Sequence, residues 1–207
     1  MLPAILPLFP LPQVVLFPQT FLPLFVFEPR YQDMTVEVLN SHQHLIISLM
    51  QETPEPGGLG ESSPIFEVGC LGEIVRAEPL TGGRWRLLIQ GKHAVRIVEE
   101  RPGKAFRQAL HEVLPFTDSV LWPGPHRRRL MDALQAFAEA EGIEAQVAEL
   151  LDLPLEDAGR LNTLAMALDF KPTERQFLLE ARDLATLADR LLKLLEFAQG
   201  GRYLEGL

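Results

Sequence analysis

Residues 2–31 read LPAILPLFPLPQVVLFPQTFLPLFVFEPRY, an almost wholly apolar run interrupted by Pro3, Pro7, Pro10, Pro12, Pro18, Pro23 and Pro29. Three assignments compete for such a stretch: a membrane anchor, a secretion signal, or the opening of a folded domain. The first charged residue is Glu28 and the first basic one is Arg30, so the positively charged start of a secretion signal is missing. A spanning helix needs roughly 20 apolar residues, and each interior proline costs it about 3 kcal/mol or more. The run therefore reads as short β-strands with kinked ends, near residues 4–9, 13–17 and 21–27. In the third, Phe21, Pro23, Phe25 and Phe27 share one face and Leu22, Leu24 and Val26 the other. Both faces are apolar, so this strand is expected to be covered on both sides or to line an interface.

Working outward, EPRYQDMTVEVLN (28–40) places Pro29 at a first helical position and Tyr31, Met34 and Val38 on one side of a short amphipathic helix. The strand HLIISLMQ (44–51) follows. Residues 52–64, ETPEPGGLGESSP, have no apolar period and read as a long loop. FEVGCLGEIVRAEPL and RWRLLIQGKHAVRIVEE flank Thr81-Gly82-Gly83 as a β-hairpin whose glycines can take positive φ. AFRQALHEVLP (105–115) is a further strand.

From about residue 125 the apolar period changes from 2 to 3.6. Leu130, Leu134, Phe137 and Ala138 form one stripe, Ile143, Val147, Leu150 and Leu151 a second, and Leu155, Ala158, Leu161, Ala165 and Leu168 a third. TERQ (173–176) offers a capping box. Asp183 caps a last helix through Leu184, Leu187, Leu191, Leu194 and Leu195, with Gly200 and Gly201 as its stop. The expected class is α+β: a β-rich part over 1–115, a linker over 116–124 and an α-helical bundle over 125–207.

Composition bounds the function. Of the 207 residues 47% are hydrophobic and the formal net charge is −9, split −4 and −5 about residue 120, so neither half is a basic arm for a polyanion. One cysteine, Cys70, excludes an intramolecular disulfide and a cysteine zinc site, and points to a reducing, cytoplasmic setting without a membrane anchor. QGKH (90–93) lacks the upstream glycine and the hydroxyl residue of a phosphate-binding loop. No G-x-S-x-G elbow surrounds Ser41, Ser48, Ser62, Ser63 or Ser119, which speaks against a serine nucleophile. His42 and His44 alternate as a metal pair would, yet no third ligand stands near them in sequence, so a polar strand edge is the plainer reading. Arg127, Arg128 and Arg129 read as a solvated basic turn or an anion contact. Trp85 and Trp122 read as packing or as recognition aromatics. Cys70 reads as a small buried residue. No cofactor or metal is expected.

LPLFPLPQVVLFPQTFLPLFVFEPRY, VGCLGEIVRAEPLTGGRWRLLIQGKHAVRIV and DLPLEDAGRLNTLAMALDFKPTERQFLLEARDLATLADRLLKLLE together resemble the N-terminal domain of Lon proteases, over nearly the full length. The likeness is greatest to stand-alone bacterial Lon-domain proteins. It implies a twisted, PUA-like sheet or pseudo-barrel with a short helix, then a helical bundle. It also implies engagement of substrate polypeptides without the ATPase and Ser-Lys peptidase modules, and admits a Lon-type protease as partner. Gly82-Gly83 replaces the usual Asp-Gly turn, and Ala94 stands where relatives often carry arginine, while Arg96 is kept.

The expected function is therefore a non-catalytic module that binds unfolded or partner polypeptides in an apolar groove where sheet and bundle join. Phe27, Arg30, Tyr31 and Trp85 are the candidate groove residues. The alternatives are RNA or nucleotide binding through the PUA-like sheet, a dedicated regulatory partner, and a hidden hydrolase. The acidic balance opposes nucleic acid.

Overall fold

The structure is a computed structural model that describes residues 2–51, 63–117 and 124–205. Most of the loop expected over 52–64, and Trp122, lie outside the described residues. The chain forms two units, Met1–Leu114 and Pro115–Leu207.

The first unit contains β1 (Ile5–Leu11), β2 (Phe21–Val26), α1 (Pro29–Leu39), β3 (His44–Leu49), β4 (Val68–Pro79), β5 (Trp85–Arg101) and β6 (Gln108–Val113). The sheet order is β2-β5-β4-β3-β1-β6, and β6 also pairs with β5. The length of β5 makes this possible. Its Trp85–Gln90 half carries β2 along one edge, and Val95–Arg101 carries β6. Strands β5, β4, β3, β1 and β6 thus close into a ring, while β2 stays an edge strand. The pairing of β1 with β3 is parallel (Leu8 opposite Ile46), so the chain between them must cross over, and it does so through β2 and α1. Leu6, Leu8, Ile46, Leu71 and Val95 pack together inside the ring, with Ile65 and Ile97 against them.

One expected strand is not there. Residues 13–17 form no ladder, yet Val15, Leu16 and Phe17 are buried. Pro12 and Pro18 bracket the segment and remove ladder donors. The chain is instead pinned across β5 at Gly91. The Gln19 N–H donates to the Gly91 carbonyl (2.8 Å), the Gly91 N–H donates to the Thr20 carbonyl (2.9 Å), and the Thr20 hydroxyl donates to the Phe17 carbonyl (2.8 Å). A Cβ on residue 91 would lie 2.0 Å from the Phe17 carbonyl oxygen, so only glycine permits this crossing. At the hairpin, Gly82 and Gly83 have φ of 75° and 74°, as the turn requires.

The second unit holds α2 (Gly124–Glu141), α3 (Glu144–Leu151), α4 (Asp157–Ala167), α5 (Pro172–Leu179) and α6 (Leu184–Glu205). The 3.6-period stripes point inward. Leu130, Leu134, Phe137, Val147, Leu161, Ala165, Leu187, Leu191 and Leu195 are buried, and Phe137 packs against Phe170 at 6.3 Å. The cap of α5 sits two residues before the expected Thr173. Pro172 takes the first position, and the Lys171 N–H donates to the Glu174 carboxylate (2.7 Å). Asp183 caps α6 by accepting from the Thr186 N–H (2.8 Å) and the Thr186 hydroxyl (2.7 Å). That helix runs through Gly200 and Gly201 to Glu205, because glycine weakens a helix without barring it. Thr117, in the expected linker, accepts from the Leu184 N–H (3.2 Å) and donates its own N–H to the Arg182 carbonyl (3.1 Å).

Candidate functional site

Strand β2 buries one face and leaves the other uncovered. Leu22 and Val26 are 6% and 1% exposed, whereas Phe21, Phe25 and Phe27 are 52%, 50% and 60% exposed. Of the two outcomes expected for this strand, covered on both sides or lining an interface, the first is not met: alternation sorts residues between faces but does not say whether anything lies on each. The ladder places Pro23 opposite Leu88, Phe25 opposite Arg86 and Phe21 opposite Gln90, and β4 continues these rows with Arg76, Glu78 and Glu73. The Phe25 and Phe27 rings stack with centroids 6.1 Å apart and an interplanar angle of 27°. A shallow cleft of about 240 Å³ lies beside them, lined by Pro23, Arg76, Glu78, Arg86, Leu87 and Leu88.

The polar groups on this face are ordered. Arg86 donates to Glu78 (3.0 Å). Lys92 bridges Gln90 (2.7 Å) and Glu73 (2.6 Å), and its hydrogen bond holds the Glu73 carboxyl below the usual carboxylate range. The Arg84 guanidinium lies 5.9 Å from the Phe25 ring centre and donates to the Thr81 carbonyl (2.9 Å) and hydroxyl (3.1 Å). Among the described residues β2 pairs only with β5, so its second edge bears no strand, and Pro23 offers no N–H.

The four candidate groove residues fall in three places. Phe27 belongs to the uncovered aromatic row. Trp85 lies opposite Val26 and Pro79 in the ladder, on the face away from Phe25, and is half-buried. Tyr31 is 7% exposed and stacks on Phe9 at 4.2 Å. The Arg30 guanidinium lies 4.7 Å from the Tyr31 ring centre and donates to Glu28 (2.8 Å). Arg30 and Tyr31 line a second cleft, of about 410 Å³, with Arg101, Lys104, Phe106 and Arg107. Its cations face carboxylates: Arg30 with Glu28, Arg101 with Glu99, Lys104 with Glu37 and Arg107 with Glu100. Reading by sequence missed Phe21, Phe25, Arg76, Arg84 and Arg86 as one surface. The period-2 phenylalanines were the available signal; the arginines became neighbours only through strand register.

The other candidates resolve structurally. The His44 N–H donates to His42 Nδ1 (3.1 Å), and burial followed by the neighbouring His44 holds His42 below the usual imidazole range. No group of three or more His, Cys, Asp or Glu side chains is placed to hold a metal among the described residues. Cys70 is fully buried, and burial pushes its thiol up. Arg127 pairs with Asp157 (3.3 Å) and Arg129 with Glu196 (2.7 Å), inside the helical unit. No described helix is long and apolar enough to cross a membrane.

A six-stranded, partly ring-like sheet carrying an uncovered aromatic face, followed in sequence by a helical bundle, defines a two-part α+β binding domain. The chain belongs to the family of the ATP-dependent protease La (LON) substrate-binding domain, whose model matches residues 5–197. That family is the non-catalytic substrate-recognition module of these proteases. Among relatives, "Lon protease 2" of Desulfotalea psychrophila is 26% identical over 92% of this chain and 25% of its own length. A Lon protease of Trichlorobacter lovleyi is 28% identical over 88% and 22%. The chain therefore spans about a quarter of the relatives it matches. The fold is shared with the N-terminal domain of a Mycobacterium avium complex Lon protease (TM-score 0.67, 16% identity, 93% of this chain and 98% of that one). It is shared equally with a Lon N-terminal domain protein from Xanthomonas campestris (TM-score 0.67, 21% identity, 93% and 97%).

Proposed function

We propose that this chain holds unfolded or extended polypeptide segments against the outer face of β2, with Phe21, Phe25 and Phe27 as anchors, and breaks no bonds in them. The observation that carries this reading is the row of three phenylalanines at least half exposed, Phe21 and Phe25 on β2 and Phe27 just past its end, stacked on Phe25. Full burial of such a ring is worth roughly 1.5–3 kcal/mol, so covering the exposed half of three rings gives a useful, reversible affinity. Alternate side chains of an extended client recur at the spacing of Phe21, Pro23 and Phe25. Membership of a substrate-binding family supports the same reading, and makes a Lon-type protease the natural recipient of what is bound. The lone buried Cys70 suits a reducing cytoplasmic setting.

The test is calorimetric titration with reduced, alkylated α-lactalbumin and with its native form. Saturable binding of the unfolded form alone is expected, and its loss in the triple variant Phe21→Ser/Phe25→Ser/Phe27→Ser. Undiminished binding by a folded triple variant rejects the site.

A further inference from the structure

We infer that the β2 face selects segments in which acidic side chains flank the apolar ones, so that client carboxylates meet Arg84 and Arg76 while client rings or aliphatic groups cover the phenylalanine row. This rests on the reading of β2 as the polypeptide site and names the class of segment it takes. The argument is a local charge count. Four cations stand on or beside the face: Arg76, Arg84, Arg86 and Lys92. Glu78 neutralises Arg86 and Glu73 neutralises Lys92. For Arg76 and Arg84 no carboxylate lies within ion-pair distance among the described residues, and both are exposed. The whole chain carries −9, so a surplus of two positive charges beside the one uncovered aromatic row of β2 runs against the overall field.

The two guanidiniums are placed for this task. Arg84 is tethered to Thr81 by two hydrogen bonds beside Phe25, which fixes the group and leaves further N–H donors for an incoming carboxylate. Arg76 shares the Pro23–Leu88 row and lines the cleft of about 240 Å³ beside it. In an extended segment whose alternate side chains rest on Phe21, Pro23 and Phe25, acidic residues that continue the same alternation on either side of those contacts face the arginines. The same charge placement repels lysine-rich segments.

The experiment uses the full chain and three acetylated, amidated 12-residue peptides. Each carries three phenylalanines at alternate positions in a serine background, with Glu, Gln or Lys two residues before the first phenylalanine and two residues after the last, so that the varied side chains share the phenylalanine face. Exposed ion pairs contribute about 0.2–1 kcal/mol each, so two of them predict that the Glu peptide binds roughly 2- to 30-fold tighter than the Gln peptide. The Lys peptide should bind weakest. In Arg76→Gln/Arg84→Gln the order should collapse while the Gln peptide keeps its affinity; 0.5 M salt should compress it similarly, because screening acts over roughly 3–10 Å. Equal affinity of the native chain for the Glu and Lys peptides overturns the charge selection and leaves polypeptide binding standing. Failure of all three peptides to bind removes both readings. Displacement of the Glu peptide by oligouridylate at equal affinity shows that the arginines serve phosphates, and overturns the inference.

Discussion

Phe25 and Phe27 stack on each other with centroids 6.1 Å apart, at 50% and 60% exposure, at the end of a strand whose opposite face is shut by Leu22 and Val26. An edge strand can keep large rings in water only where the inward residues alone suffice to hold it. That separation of duties makes the functional face open to mutation.

Phe25→Ser/Phe27→Ser should lower affinity for an unfolded polypeptide about tenfold, as loss of central aromatic anchors does. Its free energy of unfolding in urea should stay within about 0.5 kcal/mol of the native chain's, because the rings contribute little to the core. Titration calorimetry and equilibrium unfolding on the same preparations check both halves.

Tyr31→Ala should do the reverse. Its ring is buried on Phe9 at 4.2 Å, so truncation leaves a cavity costing about 3 kcal/mol. At a temperature where the variant stays folded, affinity for the peptide should be unchanged. A large affinity loss without destabilisation would bring Tyr31 into the contact surface.

Gly91→Ala should destabilise by at least about 2 kcal/mol, since the new methyl meets the Phe17 carbonyl, which the Gln19 and Thr20 hydrogen bonds hold in place. Gly82→Ala meets no atom within 4 Å and should cost only about 1 kcal/mol for its left-handed backbone. Paired urea melts compare them.

Asp183→Ala should cost about 0.5–2 kcal/mol at pH 7 through loss of the α6 cap. The Thr186 N–H, then the Thr186 hydroxyl, hold the Asp183 carboxyl below its usual range. A depressed folded value means that the stabilisation is complete above the unfolded value, about 3.9, and is lost as pH falls through the folded one. The gap between native chain and variant should therefore narrow only below about pH 4, as unfolding curves at pH 7, 4 and 3 will report.

Cys70 should resist Ellman's reagent in the native chain and react promptly in 6 M guanidinium chloride. It is fully buried and its thiol is pushed up by desolvation, so little thiolate exists to react. Prompt native labelling would mean that β3 and β4, which pair at Ile47 and Cys70, open readily.

Much of this was readable from the residues. The Phe21–Phe27 alternation, the Gly82-Gly83 turn, the Leu130–Leu134–Phe137 stripe and the Asp183 cap are short-range patterns, legible because each depends on neighbours within a turn or a strand. The segment 13–17 misled, since Val15, Leu16 and Phe17 are apolar enough for a strand but have no ladder partner between Pro12 and Pro18. The candidate residues Arg30, Tyr31 and Trp85 are adjacent to Phe27 in sequence or in strand pairing, but they face elsewhere.

By itself, then, the order of residues determined most of the strands and helices, the segment 13–17 excepted, where the fold class changes near residue 125, and which side chains share a face. Tertiary structure alone decided that β5 carries both β2 and β6, that Phe17 crosses Gly91, and that Arg76, Arg84 and Arg86 gather beside an aromatic row left open. The reason is that backbone geometry repeats over a few residues, whereas covering a face and summing charge depend on contacts between segments far apart in the chain.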